Sequence, residues 1–294
     1  MGLFLTFICS IAWVASDAMR KHLSDRTPPF VLASRLAIGQ ALCLFIVIPV
    51  LFFAKPLDGW SEFEISDGYL LWALPSFLAT AAGHLFFLGA LKVSQLGLTI
   101  PFLSFSPLFV MLFAWLVLGE TPSWQACVGL SVVTFGAYAL NPSRTVKGKT
   151  DEQSAFAKGA ALMTLTAVSW SAAAAFDKAA MEYATPLTHL TCLLISSAVI
   201  LGMLAKFKSR SPETKTTHKW VLPLVCLVMC CALALQLGAY HFWQVAYVET
   251  TKRALGLIGA VTVGYFVFKE GHIKQRLGAV SLMSLGVGLV ILGQ

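Results

Sequence analysis

The sequence predicts an all-α polytopic membrane protein, with ten transmembrane helices arranged as two inverted five-helix repeats. Three observations carry this. Of 294 residues, 57% are hydrophobic and 12% charged, where a soluble globular protein carries about 25% charged residues. The apolar residues fall in ten runs, at 3–19, 28–53, 69–91, 95–118, 123–140, 157–176, 187–205, 220–247, 250–268 and 277–292. Most are long enough to cross roughly 30 Å of hydrocarbon as a helix. Finally, the stretch 94–142 is restated at 266–292: an apolar run, a turn holding a glutamate, then a glycine-spaced apolar run. Glu270 stands to Gly286 as Glu120 stands to Gly136.

In hydrocarbon only helices and closed barrels satisfy every backbone group. The runs show no period-two alternation, which argues against a barrel. The repeat extends upstream. His84 and the residues after it match His241 onward, and Trp13…Lys21 matches Trp170…Lys178 in register. The halves are therefore 1–141 and 157–294, joined by a polar linker at 142–156. An odd number of crossings per half makes the second half enter from the opposite face, the recurring plan of secondary transporters.

The first run has no basic flank and no small-residue cleavage site before Asp17 and Arg20, so it reads as a helix and not a signal peptide. Trp13 and Asp17 lie four apart, on one face. The second run opens at Pro28-Pro29 and carries Arg35 about two turns in. An intramembrane arginine needs a partner; Asp17, near the same membrane face, is assigned as its structural ion pair. In the third run Ser76, Thr80, Gly83 and Phe87 form one stripe, which serves helix packing or ligand contact. His84 borders it and reads as a hydrogen-bonded histidine, not a proton carrier.

The fourth run holds the helix-breaking Pro101 and Pro107. Each removes a backbone donor and frees a carbonyl, which Thr99, Ser104 and Ser106 can satisfy. Broken backbone at membrane depth is tolerated in protein or beside a wet cavity. The fifth and tenth runs carry Gly129 and Gly136, and Gly278, Gly286 and Gly288, which predict close helix contacts and leave room for a homodimer. The sixth run repeats the first with Trp170 and Asp177. In the eighth, Gln236, Tyr240, Trp243 and Tyr247 recur at helical spacing, and lipid offers Gln236 no partner. The ninth opens with Glu249, Lys252 and Arg253. Glu249 can neutralise one of the two cations. The other is then left to attract a carboxylate- or phosphate-bearing solute; the alternative is that both cations snorkel to the interface.

The seven cysteines all fall in apolar runs and read as core residues. Cys226, Cys230 and Cys231 do not supply the four ligands of a tetrahedral metal site. The net charge of +7 belongs to membrane topology, not to nucleic acid. Sixteen Lys and Arg flank the odd-numbered runs on their C-terminal side and four lie on the alternate side. That bias makes the linker and the loop at 206–219 cytoplasmic and puts both termini outside.

The Pro-F-L-x-F-x-P…L-G-E-T-P-S-x-x-x-x-x-G pattern at 101–129, its weaker copy ending at Lys269-Glu270, Trp13 and Arg35 together resemble the EamA family of the drug/metabolite transporter superfamily. The resemblance spans essentially the whole chain. It implies a ten-helix inverted-repeat fold, a central cavity lined from both halves, and transport of small metabolites such as amino acids, sugars or drugs. It also implies cytoplasmic termini, the reverse of the charge bias.

The function expected is a secondary transporter of the plasma (inner) membrane that moves an amino acid, organic anion or drug-like solute by alternating access. The alternatives are a membrane-embedded lipid-active enzyme and a channel. His-Glu-x-x-His, Gly-x-Ser-x-Gly and paired intramembrane carboxylates are all missing from the sequence, so no enzyme, catalytic residue, metal or cofactor is expected. The expected partners are a small-molecule substrate and the lipid bilayer. The cavity is expected between the halves near the broken fourth helix, lined by Trp13, Thr99, Ser104, Trp170, Gln236, Tyr240, Trp243, Lys252 and Arg253.

Overall fold

The computed structural model describes residues 1–24, 27–54, 62–93, 100–139, 150–208, 220–266 and 273–292. Among these, every extended element is a helix. In chain order they are α1 Gly2–Ser24, α2 Pro29–Ala54 and α3 Tyr69–Val93, then the composite α4, then α5 Trp124–Ala139, α6 Thr150–Ala180, α7 Pro186–Lys208, α8 Val221–Phe242, α9 Val245–Phe266 and α10 Ile273–Leu292. Among the described residues, six helices, α1 to α3 and α6 to α8, are long and apolar enough to cross a membrane. Phe45, Phe53 and Phe207 stand outward on them. So large an apolar exterior needs lipid around it, and the chain is an integral membrane protein.

The fourth run is irregular. It is 3₁₀ over Ile100–Phe105, α over Ser106–Phe113 and π-wound over Ala114–Leu118. Pro107 falls in the first turn of the α part, where its missing N–H costs least. The carbonyl of Leu103, four residues back, instead accepts the Ser106 hydroxyl at 2.5 Å. Gly119 ends the element in the left-handed region, at φ 66°, a conformation open to glycine without strain.

Two boundaries differ from the sequence reading. Helix α6 begins at Thr150, inside the stretch read as linker; 140–149 lies outside the described residues. The run read as 220–247 breaks at Trp243 and Gln244, so Tyr247 and Glu249 belong to the first turns of α9. No Gly or Pro marks that turn. Side chains from elsewhere hold it: Lys178 Nζ donates to the Trp243 carbonyl at 3.1 Å, and Glu120 Oε2 accepts the Val245 N–H at 3.2 Å.

The most extensive helix contacts are α3 with α6, α5 with α10, α1 with α8, and α2 with α7. At one end of the bundle Gly2 lies against Phe242 and Trp243, Ile65 pairs with Ala184 in an isolated bridge, and Lys178 meets Glu120 at 2.6 Å. At the other end Lys21 Nζ reaches the Leu91 carbonyl at 3.4 Å. The α5–α10 contact is close because of glycine. A Cβ on Gly286 would come 2.8 Å from the Gly129 carbonyl, whereas Gly278 and Gly288 face open space.

Candidate functional site

Trp13 is the middle residue of α1, so whatever surrounds it lies near mid-membrane. Its indole Nε1 donates to Gln236 Oε1 at 2.9 Å, and Lys252 Nζ donates to the same oxygen at 2.8 Å. Gln236 Nε2 donates to the Tyr240 hydroxyl at 2.7 Å, and that hydroxyl donates to Glu249 Oε1 at 2.7 Å. Glu249 also pairs with Lys252. The donors fix the Gln236 amide: its oxygen meets two donors and its nitrogen an acceptor. Five side chains from α1, α8 and α9 thus share one buried network, which is how polar groups persist where lipid offers no partner.

Two helical turns beyond Trp13 on α1, Arg20 is 1% exposed and pairs with Asp17, which is 31% exposed. Its guanidinium lies 4.5 Å from the Phe87 ring and 5.7 Å from the rings of Trp13 and Trp170. The Trp170 indole occupies the space beside Gly83, where a Cβ would come within 2.4 Å of it. His84 meets the same indole edge-on. From α9, Arg253 stands within electrostatic reach of Glu249, Asp17 and Arg20. Arg20 Nε and Nη1 and Arg253 Nε are buried without a hydrogen-bond partner among the described residues.

Of the residues singled out from sequence, Trp13, Trp170, Gln236, Tyr240, Lys252 and Arg253 come together here. Trp243 does not: it caps α8 at the membrane end, its ring against Gly2. Thr99 lies outside the described residues. Pro101 and Ser104 contribute backbone to the 3₁₀ turn, and the Ser104 side chain is likewise outside the description. The expected Asp17–Arg35 pair is replaced by Asp17–Arg20. The reason is local: Arg20 is one turn along the same helix, whereas Arg35 would have to cross to another. Arg35 Nη1 stays buried and unpartnered among the described residues.

Lys252 and Arg253 lie seven and eight residues into α9, about 10–12 Å along it, because the helix starts earlier than the apolar run. At that depth a charge costs about 2.5–3.5 kcal/mol, which favours the internal partner seen for Lys252 over snorkelling. Arg20 escaped the sequence reading because the apolar run closes at residue 19. Its spacing of three from Asp17 and seven from Trp13 puts it on their face.

A second buried network lies between α3, α6 and α7. Asp177 accepts the Ser76 hydroxyl and meets His189 Nε2 at 3.0 Å, and His189 Nδ1 meets the Tyr69 hydroxyl at 2.9 Å. A neutral histidine satisfies both contacts, donating from Nε2 and accepting at Nδ1. Ser76, Gly83 and Phe87 all face α6, so that stripe packs α3 on α6. His189 carried no helical pattern that would have marked it. A shallow apolar groove on α5 and α10, lined by Cys127, Ser131, Phe135 and Leu282 among others, contains none of these groups.

Residues 1–141 match the EamA-like transporter family. No curated protein matches the chain. A solved structure titled "Crystal structure of protein" superposes with a TM-score of 0.70 at 15% identity, covering 99% of this chain and 97% of its own; that likeness concerns the fold alone. The family match covers the half that supplies Trp13, Asp17, Arg20, Pro107 and Glu120, and over those residues, 1–141, the chain matches the EamA-like transporter family, a family of the drug/metabolite transporter superfamily.

Proposed function

We propose that the protein is a secondary transporter that moves a small amphipathic organic solute across the plasma (inner) membrane by alternating access. In this reading it comprises ten crossing helices in two inverted repeats, 1–141 and 157–294, with the termini outside. The observation that carries it is the mid-membrane network of Trp13, Gln236, Tyr240, Glu249 and Lys252. A polar network bordered by aromatic rings suits a solute that is part apolar, part hydrogen-bonding.

The repeat is supported by the four most extensive helix contacts, whose pattern is unchanged when α1–α5 are exchanged in order with α6–α10. Contact α1–α8 maps onto α3–α6, while α2–α7 and α5–α10 map onto themselves. Lys21 and Lys178 are equivalent in the repeat, and each donates to a carbonyl at the C-terminal end of an equivalent helix, α3 or α8, at opposite ends of the bundle. Two halves that meet through such equivalent faces can rock against each other.

The test is a thermal-unfolding screen of the purified protein against a metabolite library, since a ligand selective for the folded state raises its apparent stability. Counterflow of each hit in proteoliposomes follows. Saturable exchange that falls at least about tenfold in Gln236→Leu is expected. Stabilisation by a hit with no exchange, or its chemical conversion, would overturn transport.

A further inference from the structure

The central cluster holds more cation than carboxylate. Asp17 is paired with Arg20 and Glu249 with Lys252, and Arg253 keeps a positive charge that neither of the two carboxylates in its reach is left to balance. Arg20, 1% exposed, has two nitrogens without a partner, and Arg253 has one. Buried guanidinium N–H groups left unmade are costly, and an intramembrane charge without a partner marks a functional site by default. The rings around Arg20 are aromatic, while Trp13, Asp17 and Arg253 are each half-buried, which leaves an approach on that side.

Resting on the transporter reading above, we propose that Arg20 and Arg253 seat the carboxylate of a singly charged organic anion whose apolar body lies against Trp13 and Trp170. The charge sets the class. One carboxylate balances the one unmatched cation, whereas a phosphate monoester carries about −1.5 to −2 near neutral pH and would reverse the imbalance. Guanidinium groups meet a carboxylate through strong charge-assisted hydrogen bonds. Lys252 does not take part; Gln236 and Glu249 already hold it.

The test measures thermal unfolding of the full chain in detergent with benzoate, its neutral amide benzamide, and phenyl phosphate. Benzoate is expected to raise the unfolding temperature, benzamide to leave it unchanged, and phenyl phosphate to act less than benzoate. Arg253→Gln should weaken benzoate at least about tenfold and raise the ligand-free unfolding temperature, because it removes an unbalanced charge; a merely structural arginine would lower it. Arg20→Lys keeps the charge beside Asp17 but loses the planar donors, so it should fold and still bind benzoate more weakly. Equal stabilisation by benzoate and benzamide overturns the seat, as do stronger binding of phenyl phosphate and undiminished benzoate binding in Arg253→Gln. If a neutral solute exchanges in proteoliposomes while benzoate fails to bind, the seat falls and the transporter reading stands. If benzoate binds through Arg253 but no solute exchanges, the seat stands and transport falls.

Discussion

At Gly83 the absence of a side chain makes room for the Trp170 indole, which in turn faces Arg20. Gly83→Ala would bring a Cβ to 2.4 Å from the ring, and overpacking of this kind costs about 1–3 kcal/mol. Thermal unfolding should show that loss in the parent protein and little of it when Trp170 is also changed to Leu. Equal losses in both backgrounds would mean the contact is not the cause. At this scale the sequence was legible where a residue type had no place in lipid: Gln236 and Lys252 needed partners, and both have them. It was not legible where several partners were in reach. Asp17 could serve Arg35 or Arg20, and only the folded helix favours the neighbour three residues away.

The helices were legible as apolar runs, with their polar turns as punctuation. The α8–α9 turn was not, because its stop signal is tertiary. Glu120, set by the left-handed Gly119, joins Lys178 across to Trp243 and Val245. The backbone groups freed by the turn are thus satisfied by side chains more than a hundred residues away in one case and about sixty-five in the other. Losing one partner of a buried pair costs about 3–5 kcal/mol; Lys178 is 26% exposed, so about 1–3 kcal/mol is expected for Glu120→Gln. Lys178→Met should cost a similar amount, and the double variant little more than either. Additive losses in thermal unfolding would show that the two residues act separately. The same early start of α9 carries Lys252 and Arg253 toward mid-membrane, so the turn sets the depth of the site.

For the whole molecule, the duplication read from Glu120 and Glu270 and from Trp13 and Trp170 is a proposal that the exchange symmetry of the four most extensive helix contacts supports; Glu270 lies outside the described residues. The central cluster was only half legible. Its residues come from five helices, and the sequence shows which faces are polar but not which faces meet.

The central claim is that the two ends of the bundle open in alternation around the Trp13–Gln236–Lys252 cluster. Distances between spin labels test it most directly, in a variant whose native cysteines have been replaced. One label pair at Trp124 and Phe242 reads the end held by Glu120 and Lys178. A second pair at Lys92 and Phe207 reads the opposite end. The account predicts two distances for each pair, with populations that shift in opposite directions when a solute identified by the thermal screen is added. A single unchanging distance at both ends, or both ends widening together, would contradict it.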